Sequence, residues 1–152
     1  MGEESIDSAG ALSAFYAAVD ELNRRYGDSD DGPRLDTEEL KPPRGVFLVA
    51  RSNGDPVGGV GLRPIGAPVE GLGEVKRLWV RADSRRSGVA TQLMNAVEEW
   101  SRQAGYRRLF LETGYAQPEA LAFYPRSGWT LVDEFPAGVY SHPGATRFTK
   151  DL

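Results

Sequence analysis

A strand–helix–strand run between residues 74 and 113 constrains this chain more than any other feature. EVKRLWV (74–80) has the composition of a strand, and RRSGVA (85–90) follows as a break. Ala90, Leu93, Met94, Val97, Trp100 and Ala104 then recur every three or four residues, closed by Gly105, which is the stripe and stop of an amphipathic helix. RRLFLET (107–113) returns to strand composition. Two strands joined through a helix run parallel with a right-handed crossover, so the chain must build a sheet with at least one parallel pair. RRSGVA then lies beyond the C-terminal end of a strand, where α/β sheets place their ligands.

The remaining patterns attach to that unit. Leu12, Phe15, Tyr16, Val19, Leu22 and Tyr26 form a helical stripe ending at Gly27, and Asp36 with Glu39 has the spacing of a capping box for a short turn to Leu40. VFLVA (46–50) and VGGVGL (57–62) flank an Asn53-Gly54 step, the signature of a tight hairpin. Gly58, Gly59 and Gly61 do not make a dinucleotide loop, because the third glycine and the following helix are missing; they read as a closely packed strand. Pro118 suits the first turn of a helix running through Ala-Leu-Ala-Phe to Tyr124, which Pro125 is expected to break. TLVDEF (130–135) and ATRFTKDL (145–152) complete the set as strands. The reading is an α+β fold in one domain, 1–152, with no internal repeat.

Composition removes several function classes. With no cysteine, disulfides, thiolate zinc sites and a cysteine nucleophile are impossible, and no other ligand cluster suggests a metal. The net charge of −4 argues against a nucleic-acid binder. No segment offers the roughly 20 apolar residues of a membrane span. MGEESIDSAG lacks the basic and apolar parts of a signal peptide, so a cytoplasmic location is expected.

Two readings of RRSGVA compete: a capped helix start with solvated arginines, or an anion site built on free backbone amides and the positive end of the helix dipole. Gly88 leaves room for an anion to approach the backbone, and Ala90 keeps the next turn slim.

Here the residues resemble the GNAT superfamily of N-acetyltransferases. Arg85-x-x-Gly88-x-Ala90 fits its (Arg/Gln)-x-x-Gly-x-(Gly/Ala) signature, with Glu74 to Val80 before it and the Pro118 to Trp129 segment after it in matching positions. The resemblance covers residues 45–135 and implies a twisted mixed sheet of about six or seven strands flanked by about four helices. Its fourth strand, third helix and fifth strand would form the parallel unit that binds acetyl-CoA. The resemblance also implies a first strand, yet only Ile6 offers an apolar anchor near the N-terminus, so that strand is expected to be missing or very short.

The implied activity is transfer of an acetyl group from acetyl-CoA to a primary amine, by direct attack in a ternary complex. The pyrophosphate would sit on the amides of Arg86, Ser87, Gly88, Val89, Ala90 and Thr91, with Arg85 and Arg86 near the phosphates. The pantetheine arm would pair with Leu78, Trp79 and Val80, and the Val80 amide would hold the carbonyl oxygen. Glu74 matches the general base of the histone-acetylating branch, and Tyr124 matches the frequent general acid.

Each role has a structural counterpart: Glu74 as a strand-end carboxylate beside Lys76 and Arg77, Tyr124 as helix-end packing. His142, alone in a Ser-His-Pro-Gly turn, shows no obvious partner in the sequence. The acidic stretch GDSDDGPRLDTEEL would face the acceptor and favour a cationic amine, or stand as a solvated loop. A polyamine, an aminoglycoside, an amino acid and a protein amine all remain open, as does a homodimer. A coenzyme-A-binding domain without turnover is the alternative function.

Overall fold

The computed structural model describes residues 2–26, 37–114 and 118–152. Seven strands form one sheet: β1 (Gly2–Glu4), β2 (Val46–Ser52), β3 (Asp55–Ile65), β4 (Leu72–Val80), β5 (Arg108–Thr113), β6 (Thr130–Val132) and β7 (Thr146–Asp151). Their spatial order is β1-β2-β3-β4-β5-β7-β6, and every neighbouring pair is antiparallel except β4 with β5. Among the described residues three α-helices cover the sheet: α1 (Ala9–Tyr26), α2 (Val89–Gln103) and α3 (Pro118–Arg126).

The helical stripes decide which face each helix takes. Leu93, Met94 and Val97 of α2 are buried with Val75, Leu109, Leu111, Tyr124, Trp129 and Phe148 on one face of the sheet. Ala11, Ala14 and Phe15 of α1 are buried with Ile6, Leu40, Phe47 and Val49 on the other. Each large apolar side chain so buried contributes about 1.5–3 kcal/mol, which is what holds the helices flat on the sheet. The glycines of β3 make the α1 contact close: a Cβ on Gly59 would lie 2.9 Å from the Phe47 ring and 3.0 Å from the Ala14 Cβ. Ser8 starts α1 earlier than the apolar stripe does, its Oγ accepting the Ala11 amide at 3.1 Å.

The hairpin between β2 and β3 turns on Asn53 and Gly54, both at positive φ (51° and 85°), as a type I′ turn requires. Two expectations, on β6 and on α3, are corrected, while the short turn to Leu40 is present as the 3-10 turn Thr37–Leu40. The Asp36 half of the proposed capping box, Gly27 and most of the acidic stretch lie outside the described residues. β6 stops at Val132 instead of residue 135. The helix is not broken at Tyr124: α3 runs on to Arg126 with Pro125 inside its last turn, so the Leu121 carbonyl cannot receive the usual i+4 amide there. The first strand is very short, as expected, three residues pairing with β2.

Two irregularities in the middle of the sheet set up the site. Between β3 and β4 the register shifts from Gly61↔Lys76 to Gly59↔Trp79, so β4 carries one extra residue. Arg77, at φ 59°, absorbs that bulge. On the other side, β4 pairs with β5 at only three positions, the last being Glu74↔Phe110. Beyond them β5 continues beside β7 to Thr113 while β4 diverges to Val80, and a V opens between the two strands.

Candidate active site

The V exposes one edge of β4. The Arg81 amide donates to the Val57 carbonyl of β3 at 2.7 Å, so by strand alternation the Val80 amide points the opposite way, into the V. Leu78, one pleat nearer the apex, presents its amide on the same side, and the intervening Trp79 pairs with Gly59. The edge formed by Leu78, Trp79 and Val80 is therefore a strand edge that β5 has vacated.

The start of α2 closes the wide end of the V. Gly88 is its N-cap at φ 86°, and the first helical bond is Gln92 N–H to the Gly88 carbonyl at 3.0 Å. Among the described residues no backbone acceptor is found for the amides of Arg86, Ser87, Gly88, Val89, Ala90 and Thr91. Arg86 is itself at φ 66°, which bends this run of amides into a concave path. A Cβ placed on Gly88 would meet nothing within 4 Å, so the chain's own packing leaves the cradle open. A pyrophosphate fits such a set of donors. Ser87 Oγ donates to the Ser84 carbonyl and steadies the turn. Arg85 is differently placed from its expected role: its Nε donates to the Val80 carbonyl at 3.1 Å, and its guanidinium also pairs with Glu21 of α1. It braces the end of β4; Arg85 and Arg86 are both exposed.

Glu74 sits where the V begins and is 0% exposed. Val75 packs in the α2 core, so Glu74 and Lys76 point to the opposite face of the sheet. Arg63 Nε donates to Glu74 Oε1 at 2.8 Å, and Lys76 Nζ lies 3.5 Å from Oε2. Arg63 also pairs with Glu39 at 3.1 Å. Burial works against the Arg63 charge, but the two carboxylates outweigh it and hold the guanidinium above its ordinary pKa. Glu74 is thus a buried, doubly ion-paired carboxylate at the apex. Next along the strand, Arg77 lies over the Phe15 ring at 5.8 Å.

Tyr124 is 6% exposed and packs against Trp129 and Phe148, with ring centroids 6.1 and 5.5 Å away. Burial pushes its phenol above the usual tyrosine pKa, so the hydroxyl is protonated in the neutral range but is a weaker acid than a free tyrosine.

One cluster was not legible in the sequence. Glu112 Oε1 is 2.8 Å from His142 Nδ1, and Glu112 Oε2 accepts from Ser141 Oγ at 2.5 Å and from the His142 amide at 3.1 Å. Arg147 Nε donates to Ser141 Oγ at 2.7 Å. His142 therefore has a partner after all, 30 residues away in the chain. The only hint lay in RRLFLET, where a glutamate alternates with leucines on a strand.

Among the described residues there is no group of three or more His, Cys, Asp or Glu side chains able to hold a metal ion, and no helix long and apolar enough to cross a membrane.

Comparison with known proteins agrees with this geometry. Residues 14–129 match the acetyltransferase (GNAT) family. An IAA acetyltransferase of Azospirillum brasilense is 36% identical over 131 residues, covering 84% of this chain and 82% of that protein. A GNAT-family acetyltransferase from Staphylococcus aureus shares the fold with a TM-score of 0.81 at 17% identity, covering 99% of this chain and 98% of that one. A GNAT-family acetyltransferase from Elizabethkingia anophelis, solved with acetyl-CoA bound, has a TM-score of 0.68 at 18% identity and covers 99% and 96%. A strand pair that splays beside a donor-rich helix start, in a chain matched over three quarters of its length, leaves one assignment: it belongs to the acetyltransferase (GNAT) family and is an acetyl-CoA-dependent N-acetyltransferase.

Proposed function

We propose that this protein acetylates a primary amine at the apex of the V, by direct attack on acetyl-CoA held along β4. The observation that carries the reading is the conjunction of a vacated strand edge with six amides at its wide end for which no backbone acceptor is found among the described residues. The amides of Arg86 to Thr91 bind the pyrophosphate, and Arg86 adds a cation. Leu78, Trp79 and Val80 pair with the pantetheine amides as a missing strand would. The thioester supplies an electrophilic acetyl carbon.

From the pyrophosphate the arm must run toward the apex. The Leu78 amide, one pleat deeper than Val80, is then the better-placed donor to the carbonyl oxygen. Val80 serves the arm above it. This refines the expectation that Val80 holds the oxygen.

Tyr124 is the proton donor to the departing thiolate. The unbroken α3 takes away one support for a binding domain without turnover, a break at Pro125 that would displace Tyr124. The acceptor's ammonium must also lose a proton, since an alkylamine with pKa about 10.4 is only about one part in 10³ free base at neutral pH. Glu74, between Arg63 and Lys76, enters as the ion-paired carboxylate of the acceptor face. Glu74→Gln separates proton acceptance from the holding of those two cations.

The relative from Azospirillum brasilense is named for IAA, and this leaves the acceptor's class to a screen. Calorimetric titration of acetyl-CoA into wild type and Gly88→Glu tests the donor site. Binding by the wild type and its loss in the variant are the expected results; no binding by the wild type overturns the reading. Turnover of amino acids, polyamines and aminoglycosides, followed by thiol release, then identifies the acceptor.

A further inference from the structure

We infer that the acceptor is an α-amino acid with an apolar side chain and that Lys76 binds its carboxylate. The inference rests on the acetyl-transfer reading above and names the substrate class of that same site. Three observations carry it. First, Lys76 stands two residues past Glu74, the last β4 position paired with β5, so it borders the V. It alternates to the face that bears Glu74, opposite Val75 and the α2 core. Its ammonium reaches back to within 3.5 Å of Glu74 Oε2 at the apex.

Second, that ammonium is uncommitted. Its contact with Glu74 is an ion pair and not a hydrogen bond, since Oε2 has no hydrogen-bond partner among the described residues. No protein acceptor is found there for the Lys76 N–H donors, although the side chain is only 18% exposed. Such a group gains most from an anionic oxygen. The neighbouring cations are engaged. Arg63 is held by Glu74 and Glu39, and Arg77 lies over the Phe15 ring. Arg147 donates to Ser141 and to the Asp133 and His142 carbonyls.

Third, an aromatic wall stands on the other arm of the V. Phe110 is the β5 residue paired with Glu74, and Leu109 and Leu111 pack in the α2 core, so its ring lies on the acceptor face. The partly exposed Phe135 ring packs edge-on against it at 5.8 Å.

Charge decides the class of ligand. Arg63 and Lys76 balance Glu74 and Glu39, so the cluster sums to zero. A zwitterion adds no net charge, whereas a polyamine or an aminoglycoside sets further cations beside the Lys76 ammonium. Glu74 is 0% exposed, so it acts on an incoming ammonium through its field, and direct contact falls to Lys76. Because the two opposite charges are 3.5 Å apart, a ligand that answers both carries its ammonium and carboxylate on neighbouring atoms. An α-amino acid does so, and an apolar side chain on it is buried against Phe110 and Phe135.

The transfer itself is unchanged. The amine nitrogen bonds to the acetyl carbon as the C–S bond breaks, and the products are the N-acetyl amino acid, free thiol and one proton released to solvent. Lys76 keeps its own protons and sets specificity.

The test compares each acid with its own amide. Phenylalanine and phenylalaninamide differ only at the carboxylate, as leucine and leucinamide do. kcat/KM is measured for these, for glycine and for spermidine, in wild type, Lys76→Met and Lys76→Arg. Wild type should favour each acid over its amide and over spermidine, and phenylalanine over glycine. The acid-to-amide ratio should fall about 10- to 100-fold in Lys76→Met, through KM rather than kcat, and recover in Lys76→Arg. Comparing that ratio between proteins cancels the different amine pKa values of acid and amide.

A second arm needs no turnover and decides the matter where no amine is acetylated. With CoA present, N-acetylphenylalanine should bind wild type more tightly than N-acetylphenylalaninamide by calorimetry, and the difference should vanish in Lys76→Met. Equal handling of acid and amide by wild type overturns the inference, whether or not the variant folds. A Lys76→Met protein that loses acid and amide alike also overturns it, because Lys76 is then only a counter-ion of Glu74. Glycine turned over as fast as phenylalanine overturns the apolar side chain. Failure of acetyl-CoA to bind wild type is a different result: it removes the underlying reading, and the inference with it.

Discussion

Replacing Arg63 with methionine tests the electrostatics at the apex most directly. In the wild type its Nε donates to the fully buried Glu74 at 2.8 Å and its other arm pairs with Glu39. Methionine keeps the aliphatic volume and leaves Glu74 with Lys76 alone, 3.5 Å away. Breaking a buried pair from one side costs about 3–5 kcal/mol; the remaining lysine puts this case at the lower end, about 3 kcal/mol. For a chain of this size that is a fall of roughly 6–12 °C in Tm. Glu74→Gln keeps an acceptor for Arg63 and leaves it paired with Glu39, so it should cost only about 1–2 kcal/mol. Arg63→Met with Glu74→Leu removes both charges and should recover at least 1 kcal/mol relative to additivity. Urea and thermal melts measure all three. A cost below 1 kcal/mol for Arg63→Met would refute the buried pair.

The other sites give sharper expectations for ligand and proton. Gly88→Ala places a Cβ at φ 86° with no neighbour to strike, so it should lose only about 1–2 kcal/mol of stability, while the thermal shift given by acetyl-CoA disappears. Tyr124→Phe should lower kcat about 10²-fold with acetyl-CoA affinity unchanged, as single-turnover thiol release would show. Because the folded phenol is raised above its unfolded value near 10, the wild type gives up stability as pH climbs past that unfolded value; the phenylalanine variant should not, which alkaline melts would detect. Lys150→Met strands Glu98, which Lys150 holds at 2.7 Å beneath α2, and should cost about 3 kcal/mol by urea melts.

What the sequence made legible was local. Periodicity found α1 and α2, Pro118 marked the start of α3, Asn53-Gly54 fixed the hairpin, and Gly88 marked the start of α2. Each of these signals lives within one element or one turn. The misjudged features depend on what packs against them. Pro125 looked like a break because a proline forbids the α region to its predecessor in isolation. At the last turn of α3, contacts of Tyr124 with Trp129 and Phe148 hold the helix through it. Arg85 was placed by the signature alone, which carries no trace of its pairing with Glu21 of α1.

The face of the sheet away from α2 follows the same logic to a harder limit. Glu74 was visible by its position in a strand, but its character is set by Arg63, eleven residues upstream on the neighbouring strand. His142 showed no partner in the sequence, because Glu112 meets it across a loop and a strand. A helix start is written in glycine spacing, which sequence displays, whereas pairs of side chains are made by strand register. Once β4 and β5 part after Glu74 and Phe110, the two glutamates of that face go separate ways. Glu74 stays with the cations of β3 and β4, and Glu112 goes with the loop ahead of β7. The splay therefore leaves one carboxylate sealed between strands and the other bound to a loop.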